Sequence, residues 1–270
     1  MLQIQKIHKT FFPNTPNEVY ALKGIDLEIE DGSFTIVIGT NGSGKSTLLN
    51  AVAGTFLVDS GSIRLAGQDI THWPEHRRAK YIGRVFQNPF SGTAPTMTIA
   101  ENLALATRRG MGRTLNWALG RSTRDTIRER ISELRMGLED RIDNPIGTLS
   151  GGQRQALTLL MASWKRPDLL LLDEHTAALD PRSADQVIQL TDAVIGREKL
   201  TALMVTHSMQ QAVNLGDRLI MVHRGRIIHD FRGSEKRRLK PEELLNRFEV
   251  VQNEERLDGS AAELLARTYV

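Results

Sequence analysis

The stretch "FTIVIGTNGSGKSTLLNAVA", residues 34–53, decides the fold. Its first part, "FTIVIG" at 34–39, has the length and apolar character of a buried strand, and "KSTLLNAVA" at 45–53 reads as a helix. Between them lies "GTNGSGKST" at 39–47, a match to G-x-x-x-x-G-K-[ST] in the strand–loop–helix context that this pattern requires. Gly39, Gly42 and Gly44 permit backbone conformations closed to other residues and let amide N–H groups approach phosphate oxygens. The helix N-terminus adds roughly half a positive charge. Lys45 supplies a full charge for the β and γ phosphates of a nucleotide, and the Ser46 hydroxyl is a ligand for Mg²⁺. Thr40, Asn41, Ser43 and Thr47 complete the loop and are expected to contact the same ligand.

Working outward, strand-length apolar runs recur at "YIGRVFQ" (81–87), "LLLLDE" (169–174) and "TALMVTH" (201–207), with helical patterns between several of them. That alternation predicts a mostly parallel sheet covered on both faces. Alternating stretches such as "LQIQKIH", "GIDLEIEDG" and "GSIRLAGQDI", with turns at Gly32 and Gly67, predict a separate antiparallel layer. A hairpin is expected in "RLIMVHRGRIIHDF", turning near Arg224 and Gly225. Residues 98–145 carry no strand-like run but contain "STRDTIRERISELRMGL", and are read as a helical insertion. The charged tail from Gly233 onward holds two short helical patterns, "PEELLNRF" and "AAELLART", with too little apolar surface for a further domain.

In an open parallel sheet, ligands sit beyond the carboxyl ends of the strands. Gln87, Asp173, Glu174 and His207 all fall at such ends, as does the glycine loop, so one site can collect them. Asp173 suits the Mg²⁺ shell and Glu174 is placed to polarise an attacking water. Away from a phosphate loop, such an acid pair is as often a helix cap as a site. A second glycine turn, "TLSGGQRQALTLL" at 148–160, again opens a helix, with Ser150 as a candidate cap.

The order and spacing of "GTNGSGKST", Gln87, "LSGGQ", "LLLLDE", "ALD" at 178–180 and "TH" at 206–207 resemble those of an ATP-binding cassette (ABC) ATPase over about residues 1–231. The resemblance implies an α/β P-loop NTPase (RecA-like) core with an antiparallel β layer and a helical subdomain inserted at approximately 88–155; the residues beyond it, 232–270, are read from their own pattern as a short helical tail. It also implies ATP and Mg²⁺ as cofactors, with two nucleotide sites formed between two copies of the chain. In that arrangement Glu174, His207 and Gln87 are catalytic, and Ser46, Gln87 and Asp173 hold the metal. Ser150, Gly151, Gly152 and Gln153 reach the nucleotide held by the other copy, and Asp180 joins the nucleotide-binding set. An aromatic residue ahead of the core stacks on adenine; Phe11 in "HKTFF" fits best, with Phe12 as the rival.

Departures from the family pattern are His175, where proline is usual after the catalytic glutamate, and Ala156 and Met161, where arginines are common. His175 is expected to be positional: in an extended segment it would point away from Glu174 and bond a backbone group toward the dimer seam. "SGGQRQALTLLMA", "GTAP" at 92–95 and "DEHTAALDP" at 173–181 resemble a bacterial importer branch associated with permeases of the branched-chain amino-acid type and with solute-binding lipoproteins, some implicated in aromatic amino-acid uptake.

Composition agrees with a globular chain of 270 residues, 40% hydrophobic and 25% charged. The absence of cysteine removes disulfides and thiolate metal sites. No signal peptide or run of about 18 apolar residues is present, so any membrane role is expected to pass through a partner. The resemblance implies integral-membrane permease subunits, an extracytoplasmic solute-binding protein, and a place on the cytoplasmic face of the inner membrane. "NPFSGTAPTMTIAENL" at 88–103 is then the groove for a permease helix. A net charge of +3, from 35 basic and 32 acidic residues, is too balanced to argue for nucleic acid by itself. The arginines at 108, 109, 113, 121, 124, 128 and 130 leave open a soluble ATPase acting on nucleic acid or ribosomes, and an assembly scaffold is a further alternative.

Overall fold

The computed structural model describes residues 1–111 and 119–250. Among these residues the elements follow one another as β1 (Leu2–Phe11), β2 (Val19–Ile29), β3 (Phe34–Gly39), α1 (Lys45–Ala53), β4 (Ser60–Leu65), β5 (Gln68–Asp69), α2 (Glu75–Arg78), β6 (Ile82–Val85), α3 (Ile99–Thr107) and α4 (Arg121–Ser132). After two short 3₁₀ turns come α5 (Gly151–Ser163), β7 (Leu169–Asp173), α6 (Pro181–Glu198), β8 (Ala202–Val205), α7 (Met209–Asn214), β9 (Arg218–His223), β10 (Arg226–Arg232) and α8 (Gly233–Arg238).

The central sheet has the order β10-β9-β3-β8-β7-β6. All its pairings are parallel except the hairpin β9–β10, which turns at Arg224 and Gly225 as the sequence predicts. The second sheet, β2-β1-β4-β5, is antiparallel. β3, β7 and β8 are apolar along nearly their whole length because both faces are covered. On one face Val37, Leu169, Leu171, Leu203 and Ile220 meet α1 and the antiparallel layer, through Ile4, Leu27 and Ile63 among others. On the other, Ile36, Leu170, Leu172, Met204 and Met221 meet Leu159, Val194 and Ala212 from α5, α6 and α7.

The helical insertion has its own core, in which Ile99, Leu103, Ile127, Ile131 and Leu138 pack with Leu157 and Leu160 of α5. Its two ends are drawn together by a bridge between Thr98 and Pro145, with Ile99 N donating to Asn144 O at 3.0 Å and Ile146 N to Met97 O at 3.0 Å. That neck lies in a region without strand-like runs. The helix expected over "STRDTIRERISELRMGL" is shorter, ending at Ser132, because Arg135 and Gly137 turn into the left-handed region at φ 52° and 64°.

The tail is more integrated than its composition suggests. A helical segment covers 241–250, and Leu239, Leu244 and Phe248 are buried in the core beneath the central sheet. "AAELLART" and Arg113 lie outside the described residues.

Asp230 on β10 accepts from Arg218 Nε at 2.7 Å and from Arg232 Nη2 at 2.7 Å. Burial alone would raise its pKa, but these hydrogen bonds overcome burial and hold the carboxyl down to about 2. A folded pKa below the unfolded value of roughly 3.9 adds stability above that pH, lost as the pH falls through the folded value. Asp230→Asn should therefore lower the thermal midpoint at neutral pH. The gap between variant and parent should narrow as melts are repeated from about pH 5 down toward pH 2.

Candidate functional site

The strands of the central sheet that reach the site end at one level. Val37 pairs with Val205, and Val205 with Asp173, so β3, β8 and β7 release their chains side by side at the carboxyl edge. From that edge emerge the glycine loop, the segment Thr206–His207, and the pair Asp173–Glu174.

The loop reaches α1 through Gly44, which has φ 102° and whose missing side chain would lie 2.5 Å from the Ala21 carbonyl oxygen. Both facts select glycine. No side chain caps α1, as none caps α2, α4 or α8, whereas Thr98, Ser150, Asp180 and Ser208 cap α3, α5, α6 and α7. Of the uncapped starts, α1's is the one that opens from the glycine loop beside a buried lysine. The first amides of α1 are thus left to an anion. The other end of α1 is well satisfied: buried Arg78 donates to Ala51 O at 2.7 Å and Val52 O at 2.9 Å. Lys45 is buried, and its ammonium donates to Gly39 O at 2.9 Å and Thr40 O at 3.0 Å within its own loop. Burial lowers its pKa, offset in part by Glu174 and then Asp173.

A cleft of about 360 Å³ opens over this loop, lined by Phe11, Val19, Ala21, the run Asn41–Thr47, Glu174 and His207. Ser46 Oγ stands 3.3 Å from Asp173 Oδ1, which places two hard oxygen donors together, the kind of set Mg²⁺ takes alongside phosphate oxygens. The uncapped helix, the buried lysine and this oxygen pair fit a nucleotide with its metal. Glu174 is held from both sides: His207 Nε2 lies 2.5 Å from Oε1 and Gln87 Nε2 3.5 Å from Oε2. Phe11 borders the cleft, packed edge-on against Phe56 with ring centroids 5.2 Å apart, while Phe12 is 66% exposed and does not line it. Gly39 and Thr40 lie behind the loop, beside His207.

Ser150, Gly151, Gly152 and Gln153 do not join this cleft within one chain. They form the start of α5, where Ser150 Oγ accepts from Gln153 N at 3.2 Å and Gln153 Oε1 accepts from Ser150 N at 3.3 Å. Asp180 is likewise outside the cleft and caps α6, accepting from Ser183 N at 3.1 Å. A chemical role for either group has to be met on another surface.

His175 departs from the expectation in two ways. Glu174 is not extended but sits at φ 45°, so a turn and not strand alternation separates the two side chains. The imidazole does not reach a backbone group or an outer seam. It is 1% exposed, and its Nε2 is 3.0 Å from Thr191 Oγ1 on α6. Thr191 spends its hydroxyl proton on Val187 O at 2.8 Å, so its oxygen accepts and His175 carries its proton on Nε2. Burial lowers the imidazole pKa to about 4.

Sequence reasoning missed Arg84. Its guanidinium donates to Asn50 Oδ1 at 2.5 Å and Thr55 Oγ1 at 3.1 Å, and lies 3.8 Å from Asp173 Oδ2, tying β6 and α1 to the acid. A lone charge inside "YIGRVFQ" was the available signal. Also missed was Asn102, buried on α3, whose amide nitrogen donates to the carbonyls of Ala94, Met97 and Thr98 and fixes the loop before that helix.

Residues 22–177 match the ABC transporter family, and the chain belongs to that family as its ATP-binding, ATP-hydrolysing component. It is 43% identical over 252 residues to a tyrosine transport ATP-binding protein of Clostridioides difficile (strain R20291), across 92% of this chain and 99% of that one. A bicarbonate transport ATP-binding protein, CmpC of Synechococcus elongatus, is 38% identical over 82% of this chain, which spans 32% of that protein's length. Among solved structures, the dimeric post-hydrolysis state of the ATP-binding cassette MJ0796 bound to ADP and Pi superposes with a TM-score of 0.73 at 26% identity, covering 86% of this chain and 98% of that one.

With a pKa near 4, His175 stays neutral across the working range. His175→Gln should leave the shape of the ATPase pH profile unchanged between about pH 5.5 and 8.5. Stability should separate the two proteins. The parent should lose stability as the pH falls from about 6.5 toward 4, because only its unfolded state gains the proton there, and urea melts of the variant should lack that slope.

Proposed function

We propose that the chain is the ATPase subunit of a bacterial importer for a small, amino-acid-like solute. It works as a dimer at the cytoplasmic face of the inner membrane, under separate permease subunits of the branched-chain type served by an extracytoplasmic solute-binding protein. The observation that carries the solute class is the near end-to-end similarity to a tyrosine transport ATP-binding protein. Among the described residues no helix is long and apolar enough to cross a membrane, which fits docking on a permease. The docking loop has a defined shape, since Asn102 organises 94–98 and Gln155 Nε2 holds Phe86 O at 3.0 Å. Phe90 stands out from it, 56% exposed, on the Arg154 guanidinium.

In this reading Lys45 exchanges its loop carbonyls for the β and γ phosphates, and the uncapped start of α1 binds the same anion. Phe11 offers its face to adenine. Ser46, Asp173 and Gln87 hold Mg²⁺, which when bound neutralises phosphate charge. Glu174 takes the proton of the attacking water, while His207 and Gln87 fix its carboxylate between them. The second copy supplies Ser150, Gly151, Gly152 and Gln153, which do not line their own chain's cleft, and Asp180 serves the same seam through the cap it makes on α6. The dimeric state of the ADP-bound cassette supports that pairing.

A nucleic-acid role finds less support in the arginine cluster, because Arg124 pairs with Asp143 at 2.6 Å, Arg130 with Glu198 at 3.3 Å, and Arg109 donates to Ala162 O at 2.9 Å. Those charges are engaged inside the chain.

Glu174→Gln should keep ATP affinity but lose turnover by at least about 10²-fold. Size exclusion with ATP and Mg²⁺ should then show a dimer; a monomer would count against the shared site. Mixing Lys45→Ala with Ser150→Arg should recover activity that neither variant has alone, since one composite site stays intact. The solute class is tested by uptake of a labelled aromatic amino acid in cells lacking the chain. Uptake should be lost and return with the parent but not with Glu174→Gln, and undiminished uptake would overturn the solute assignment.

A further inference from the structure

His207 is followed at once by α7, so whatever holds α7 holds His207. α7 has six residues, barely more than one turn, too short to persist on its own helical propensity. Within the ATPase core it is tied down by Ser208, which accepts from Gln211 N at 3.2 Å. Gln211 in turn accepts from Thr206 Oγ1 at 2.6 Å and donates to Thr176 Oγ1 at 3.3 Å.

The chain beyond the last strand binds this helix at its C-terminal end and packs into the same apolar cluster as its first residue, Met209, at the other. At the C-terminal end, Lys236 of α8 places its ammonium 2.6 Å from both Val213 O and Leu215 O. The lysine is 3% exposed, and burying such a charge is unfavourable unless carbonyl oxygens and a helix C-terminus meet it, as they do here. At the N-terminal end, Phe248 from the helical segment 241–250 is 7% exposed. With Ile38, Gly39, Thr40, Thr206, His207 and Met209, it lines a cavity of about 190 Å³. The aromatic side chain therefore borders both the back of the phosphate loop and the residues on either side of His207. Leu239 and Leu244, buried under the central sheet, fix the segment that carries it.

We infer that residues 233–248 form a clamp that positions His207 for catalysis, with Lys236 and Phe248 holding α7 from its two ends. The inference rests on the reading of His207 as a group at the reacting phosphate. Lys236 and Phe248 are positioning residues: they touch neither Glu174 nor the phosphates and act on the reaction through the segment that carries His207. Loss of either grip frees the Thr206–Met209 segment, and displacements of about 1 Å at a reacting group cost up to 10²-fold in rate. Binding of ATP, made by the glycine loop, is left in place.

The test uses the full chain and four variants, Phe248→Ala, Phe248→Leu, Lys236→Met and His207→Ala, assayed well below their melting midpoints. Phe248→Ala and Lys236→Met should each lower kcat by about 10-fold or more while KM and fluorescent-nucleotide affinity stay within about 2-fold. Phe248→Leu, which returns most of the apolar volume that alanine removes, should restore most of the rate. Folded Phe248→Ala and Lys236→Met proteins with parental kcat overturn the clamp, as does a loss of nucleotide affinity parallel to the loss of rate. His207→Ala separates the two readings. If it is inactive while the clamp variants are fully active, only the clamp fails; if it keeps full turnover, the catalytic reading of His207 fails and the clamp falls with it.

Discussion

The uncapped N-terminus of α1 is the constraint on which the site is built. A helix start ordinarily takes a serine, threonine or aspartate side chain, and four other helices of this chain do so. At α1 the corresponding residue is Gly44, in a conformation and a space that exclude a side chain. The amides are therefore reserved, and the buried Lys45 beside them adds to the positive potential. Such a local concentration of positive charge is tolerable because the lysine borrows the carbonyls of Gly39 and Thr40. Arg78 completes the balance at the far end by satisfying the last carbonyls of α1.

The acids across the cleft answer that positive end. Both fall where β7 runs out, but they separate because the chain turns at Glu174 into a left-handed conformation that costs energy for a side-chain-bearing residue. Something must hold the turn. His175, anchored in the core on Thr191, lies one residue further on, and the Ala177 amide donates back to Glu174 O at 2.9 Å. The histidine can thus replace the family's usual proline by a different physical route: a ring buried against α6 restrains the segment where proline would restrain its own backbone. Asp173 stays in the strand, level with Val205, and reaches Ser46. In the mechanism proposed above, one backbone turn divides two adjacent carboxylates between two tasks.

What was legible in the sequence is what local pattern controls. The four apolar runs became β3, β6, β7 and β8 because a strand covered on both faces needs continuous apolar residues. The phosphate loop was legible because its glycines and lysine are adjacent in the chain. Partners far apart in sequence were not. Nothing local in "YIGRVFQ" announces that Arg84 will reach Asn50 and Asp173. Likewise the charged composition of the tail conceals that Leu244 and Phe248, four positions apart on one helical face, enter the main core. The conformation of Glu174 was misjudged for the same reason, since the restraint on it comes from α6, which follows it in the chain.

The two glycine turns differ in a way that bears on how a dimer opens and closes. Both precede helices, yet α1 presents its amides without competition while α5 already spends one, the Gln153 amide, on Ser150. Gln153 also returns a bond to the Ser150 amide, so two donors at the start of α5 are already engaged before any ligand arrives. In the composite site proposed here, the loop with Lys45 therefore supplies most of the affinity for nucleotide, and the partner's turn adds a contact that is readily made and readily lost. That inequality suits a cycle in which ATP stays on one chain while the second chain comes and goes. Loss of the γ-phosphate removes what the weaker turn has to hold, so the seam is expected to part there first, with product still seated on α1.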